Sequence, residues 1–119
     1  MGTYYGLLIA VNNYTLYDPS GGSNLNGCLN DLEAARRLCL SMGYPPENIH
    51  CLRDKEATQA NILAEYEWLG SKVNEDPANE GFTSFSGHGT LYKQRPMICP
   101  ADLKWEQGVT FAKIGERLK

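Results

Sequence analysis

The 119-residue sequence predicts an α/β fold: a mainly parallel sheet with helices on both faces. Two observations carry the prediction. Short apolar runs of strand length alternate with longer segments whose apolar residues recur at steps of three and four, and clusters of Gly, Pro and Asn punctuate the junctions. The order is strand, helix, strand, helix, strand and a final helix, and strands joined by helical crossovers pair in parallel.

Residues 4–11, YYGLLIAV, are continuously apolar and end on Asn-Asn, which predicts a central strand buried on both faces. The following NNYTLYDPSGGSN is too rich in Asn, Pro, Gly and Ser for regular structure and too long for a tight turn, so it is read as a loop beside a site. From Asn26 onward Cys28, Leu32, Ala35, Cys39 and Met42 stack on one helical face, with Asn26 as the expected N-cap and Gly43 as the stop. After YPPEN, the run from Ile49 to Leu52 predicts a second strand, and Thr58 caps a helix carrying Ile62, Tyr66, Leu69 and Val73 on its inner face. NEDPANEG ends that helix, FTSFS gives a third strand, and PMICPAD adds a short extended piece. Val109 or Phe111, then Ile114 and Leu118, begin an amphipathic helix that runs to the last residue.

Composition narrows the function. A length of 119 residues suits one domain, here residues 1–119, and 42% hydrophobic with 21% charged residues is an ordinary globular balance. A net charge of −3 offers no basic surface to a phosphate backbone, so proteins or peptides are the expected partners and nucleic acid is not. No apolar run reaches the ~18 to 20 residues that span a bilayer. MGTYYGLLIAVNNY also lacks a basic leader and a cleavage site, and Gly6 stands where a myristoylation signal needs Ser or Thr. A cytoplasmic protein without a membrane partner is expected.

Cys28, Cys39, Cys51 and Cys99 form no Cys-x-x-Cys pair and no disulfide framework. Cys51 beside His50 lacks the spacing of a structural zinc site, so no metal and no other cofactor is implied.

GFTSFSGHGT, residues 81–90, holds the chemistry. In parallel α/β sheets ligands sit outside the carboxyl ends of the strands, and both NNY and SGHG fall at that edge. An imidazole there can exchange a proton near neutral pH. Gly87 and Gly89 permit close backbone approach, and the Gly89 N–H is free of side-chain hindrance as an oxyanion donor. The ordinary alternative is a histidine in a glycine turn that satisfies one local hydrogen bond.

A resemblance covering nearly the whole chain favours chemistry. GLLIAVNNY, LNGCLNDLEAARRL, GYPPENIHCLRDKEATQANI, FSGHGT and MICPADL follow in the order and spacing of the caspase-like cysteine peptidases, most like the metacaspase branch. GCLND and SGHG are the most specific pieces. The resemblance implies the three-layer caspase fold, with His88 as the catalytic histidine and the Gly89 N–H as an oxyanion donor. It also implies that Asp31 and Ser86 belong to a pocket for a basic P1 side chain, where a carboxylate would pair an ammonium or guanidinium. Asp31 is equally a first-turn acid favoured by the helix dipole.

Two departures matter. The family's nucleophile lies in a motif resembling D-x-C-H-S-G, on a strand beyond the helix that here begins near Val109, so the fold is expected to be truncated before that strand. Of the four cysteines, only Cys99 is close to His88 in sequence, and none is a convincing substitute. The stretch TLYKQRPMICPA has two basic residues and no acid, so calcium dependence does not carry over.

The leading expectation is therefore the histidine-bearing amino-terminal part of a cysteine endopeptidase that cleaves after Arg or Lys, its partner being the cysteine-bearing part of the same protease. The alternative is a catalytically inactive caspase-like module that binds or regulates a partner through an open sheet edge. A flavodoxin-like domain without peptidase ancestry is the third reading.

Overall fold

The middle strand of the sheet is β1, Tyr4–Ala10, and its pattern decides the layers. Successive side chains of a strand point to opposite faces, and here both faces are dry: Leu7, Leu8, Ile9, Ala10 and Val11 are all essentially inaccessible to solvent. Leu7, Ile9 and Val11 pack with Ile62, Tyr66 and Leu69 of α2 (Gln59–Val73), and Ile114 and Leu118 of α3 (Phe111–Leu118) close against the same cluster. Leu8 and Ala10 meet Cys28, Leu32 and Cys39 of α1 (Cys28–Ser41) on the other face. In this computed structural model, which describes residues 2–92, 94–103 and 109–119, helix, sheet and helix form three layers.

The sheet is parallel, in the order β2 (Ile49–Arg53), β1, β3 (Glu80–Ser86), with Leu8 opposite Cys51 on one side and Ser84 on the other. The expected α/β class, central strand and helices on both faces are all found. A second, antiparallel sheet follows: β4 (Gly89–Tyr92), β5 (Arg95–Ile98) and the short β6 (Val109–Thr110). Only the β5 segment was legible as extended. Four residues opening on a glycine carry no periodicity, and β4 exists because β5 pairs with it, from Gly89 opposite Ile98 to Tyr92 opposite Arg95.

The helix ends correct three details. Thr58 does cap α2, its Oγ1 accepting the Asn61 N–H at 3.2 Å, and Gly43, at φ +91°, ends α1 in the left-handed region. Asn26, however, does not cap α1. The cap position belongs to Gly27, and the first helical N–H, that of Cys28, is taken at 2.8 Å by Oδ1 of Asn12 at the end of β1. Met42 is also not inward: at the helix end the chain turns away and leaves it 56% exposed. Val109 belongs to β6 rather than α3, whose cap is Thr110. Among the described residues, no helix is long and apolar enough to cross a membrane.

Candidate active site

The carboxyl ends of β1 and β3 bring the two sequence signals together. Ala10 lies opposite Ser86, and the Val11 N–H donates to the Ser86 carbonyl at 2.9 Å, so the NNY loop leaves the sheet beside Gly87 and His88. That loop is built from short polar side chains that substitute for backbone partners. Oδ1 of Asp54 accepts from the Asn12 and Asn13 N–H groups at 2.8 and 3.1 Å, and Oδ1 of Asn24 accepts from the Tyr14 N–H at 2.8 Å. Asp54 stands at φ +48°, a conformation that aspartate tolerates better than most side chains.

His88 is half-buried and held by this loop. Its Nε2 lies 2.7 Å from the Ser23 carbonyl oxygen. A carbonyl only accepts, so Nε2 carries the proton and the lone pair of the neutral ring resides on Nδ1. The Ser23 hydroxyl donates to Oδ2 of Asp18 at 3.0 Å, and the Ser20 and Ser23 hydrogen bonds together hold the Asp18 carboxyl below its ordinary pKa. The Tyr14 ring packs against the imidazole at a tilt, with centroids 4.8 Å apart. A cavity of about 220 Å³ opens here, lined by Tyr14, Tyr17, Ser23, His88, Gly89, Thr90, Cys99 and Leu103.

The two glycines differ. A Cβ on Gly87 would stand 2.7 Å from the Tyr14 hydroxyl and 2.8 Å from Phe85 Cζ, so a side chain there would have to displace one of these rings. A Cβ on Gly89 would meet only the Met97 carbonyl oxygen, at an ordinary 3.6 Å. The His88 carbonyl faces β5, accepting the Cys99 N–H at 2.9 Å. Alternation along an antiparallel ladder then turns the exposed Gly89 N–H away from β5.

Asp31 and Ser86 are also brought together, since the Ser86 hydroxyl donates to Oδ2 of Asp31 at 2.7 Å. Asp31 stands in the first turn of α1 and Ser86 ends β3, both outside the set that lines the histidine cavity. A larger hollow of about 650 Å³ lies across the loop, beside Asn13, Leu16, Arg53 and Asp54. There Arg53 pairs with Glu33 at 2.6 Å, Asp54 holds the loop amides, and Oε1 of Glu56 accepts the Arg53 N–H at 3.1 Å.

Cys99 borders the histidine cavity but is 3% exposed, and burial pushes its thiol pKa up, as it does for Cys39 and Cys51. A nucleophilic cysteine needs the opposite shift. His50, considered above with Cys51 for zinc, instead pairs its Nδ1 with Glu65 at 2.6 Å and stacks on Trp68 at 3.5 Å between centroids. Asp102 caps α2 by accepting the Gln59 N–H at 2.8 Å.

The sequence places Asn12 and Tyr14 at this edge as part of NNY without giving either a role, and it does not point to Asp54 or the Ser23 carbonyl. A carbonyl contact leaves no trace in residue type, whereas the Asn and Asp density around residues 12–24 was the available signal for a side-chain-built loop.

A family model described as the caspase domain, peptidase C14, matches residues 4–113. Metacaspase-9 of Arabidopsis thaliana is 29% identical over 115 residues, an alignment covering 84% of this chain and 35% of that protein. The chain thus spans about a third of the length of this relative.

Proposed function

The chain belongs to the caspase-domain family, peptidase C14, and from that premise we propose that it is the histidine-bearing part of a cytoplasmic cysteine endopeptidase. The observation that carries the reading is the 2.7 Å contact from His88 Nε2 to the Ser23 carbonyl. It fixes the tautomer in which Nδ1 is the base, and it stabilises the N–H of the imidazolium once a proton has been taken.

The nucleophilic cysteine comes from polypeptide outside these 119 residues, in keeping with the raised thiol pKa of Cys39, Cys51 and Cys99. Nδ1 of His88 takes its proton, and the thiolate adds to a peptide carbonyl. The oxyanion accepts from the outward Gly89 N–H. Collapse breaks the C–N bond and expels the amine with the proton returned by His88, leaving a thioester. Water then attacks with His88 again as base, the C–S bond breaks, and the acid leaves as His88 returns the proton to the thiolate. Substrates carry Arg or Lys at the cleaved position. Asp31 accepts from Ser86 through one oxygen, and its carboxylate retains acceptor capacity for a cationic side chain.

The test is a fluorogenic Arg or Lys peptide assay on the longest polypeptide translated from the reading frame that contains this chain. Turnover that His88→Ala lowers by ~10³-fold or more supports the proposal. Absence of turnover at every protein concentration removes it and leaves the inactive binding module.

A further inference from the structure

Tyr14 occupies an unusual place just beyond the Gly89–Ile98 end of the β4–β5 ladder. In an antiparallel pair, two residues facing each other across a hydrogen-bonded position exchange both N–H to C=O bonds. His88 and Cys99 exchange only one directly, the Cys99 N–H to the His88 carbonyl at 2.9 Å. In the place of the other stands the phenol of Tyr14: the His88 N–H donates to its oxygen at 2.9 Å, and its O–H donates to the Cys99 carbonyl at 2.9 Å. The pair is opened by one hydroxyl at the point where β3 hands over to β4.

That hydroxyl is well determined. Tyr14 is 1% exposed, its own N–H is taken by Asn24, and its carbonyl accepts the Asp18 N–H at 2.8 Å. Burial raises its pKa well above the ordinary tyrosine value, so it remains a donor at any pH the protein meets. Its ring meanwhile lies against the imidazole at 4.8 Å. The loop after β1 therefore holds His88 at both ends, the amide through Tyr14 and Nε2 through Ser23.

We propose that Tyr14 is the positioning residue for His88, fixing through its hydroxyl the backbone from which the imidazole projects and so the direction of Nδ1. This rests on the peptidase reading for its consequence in catalysis, but not for its structural content. The test compares Tyr14→Phe with Tyr66→Phe. Tyr66 is equally buried, and its phenol oxygen bonds Thr83 Oγ1 at 3.0 Å, on α2 and away from the histidine cavity.

Two readouts are taken. In the 119-residue chain, long-range ¹H–¹⁵N spectra of the imidazoles give the tautomer of His88. In the longest polypeptide of the frame, peptide turnover is split into kcat and KM. Tyr14→Phe is expected to move His88 away from a pure Nε2–H tautomer and to lower kcat by ~10-fold or more with KM within about twofold. Tyr66→Phe leaves both unchanged. A Tyr14→Phe variant with the unaltered tautomer, or one whose kcat matches that of Tyr66→Phe, overturns the proposal. If the unaltered parent shows no turnover, the peptidase reading falls alone and the tautomer comparison still decides Tyr14. If Tyr14→Phe does not fold, amide exchange in the unaltered chain decides: a His88 N–H protected at least ~10-fold over the Gly89 N–H supports the phenol bridge, and equal rates overturn it.

Discussion

Gly87→Ala should destabilise the chain, and the amount should depend on the Tyr14 hydroxyl. Gly87 does not lie in the left-handed region, so alanine meets no backbone strain and would gain ~0.4 to 1 kcal/mol by restricting the unfolded chain. Against that stand two contacts far inside van der Waals range, 2.7 Å to the Tyr14 hydroxyl and 2.8 Å to Phe85 Cζ. Overpacking of this kind costs ~1 to 3 kcal/mol. The Tyr14 oxygen is pinned by two hydrogen bonds and cannot retreat, which places the net loss near ~2 kcal/mol. In a Tyr14→Phe background the shorter contact is gone while the Phe85 contact remains, so the cost of the alanine should fall by about 1 kcal/mol, within the range found for touching residues. Urea unfolding of the four proteins measures the cycle, provided the slopes agree. A Gly87→Ala loss under about 0.5 kcal/mol, or costs that add within about 0.3 kcal/mol, would refute the steric argument.

Asn12→Ala should cost ~1 kcal/mol by stripping the cap from the Cys28 N–H, whereas Asn26→Ala should change stability by less than about 0.5 kcal/mol; urea unfolding that reversed the order would restore Asn26 as the cap. Gly70→Ala tests a balance of signs. Helix propensity favours alanine by ~1 kcal/mol, but its Cβ would lie 2.7 Å from the Cα and carbonyl oxygen of Leu118, backbone atoms that cannot yield unless α3 moves. Net destabilisation with faster amide exchange across residues 111–118 is expected, and a stabilised variant would contradict the α2–α3 packing. Acid should loosen the loop that carries Ser23. The Asp18 carboxyl is depressed in the folded chain, so its contribution is complete above the ordinary aspartate pKa and is lost only as pH falls through the lower, folded value. The Ser20 amide resonance, which reports the 3.2 Å bond to Asp18, should titrate with a midpoint below the ordinary aspartate value; a midpoint at or above that value would show that the hydroxyls do not hold the carboxylate.

The sequence by itself determined the layers. An uninterrupted apolar β1 requires cover on both faces, and the three- and four-residue steps of α1 and α2 supply it, because burial of alternating strand residues against helical stripes is a local pattern with one global solution. It also placed NNY and SGHG at one sheet edge, since parallel order puts the carboxyl ends of β1 and β3 side by side. Tertiary structure alone decided the parts that depend on partners distant in sequence. β4 is a strand because β5 faces it, the cap of α1 comes from a residue sixteen positions earlier, and His88 owes its tautomer to a carbonyl sixty-five positions away. Backbone carbonyls and single hydroxyls have no periodicity to read. Their roles arise only when the fold brings them to hydrogen-bonding distance, and at this site those contacts aim the imidazole.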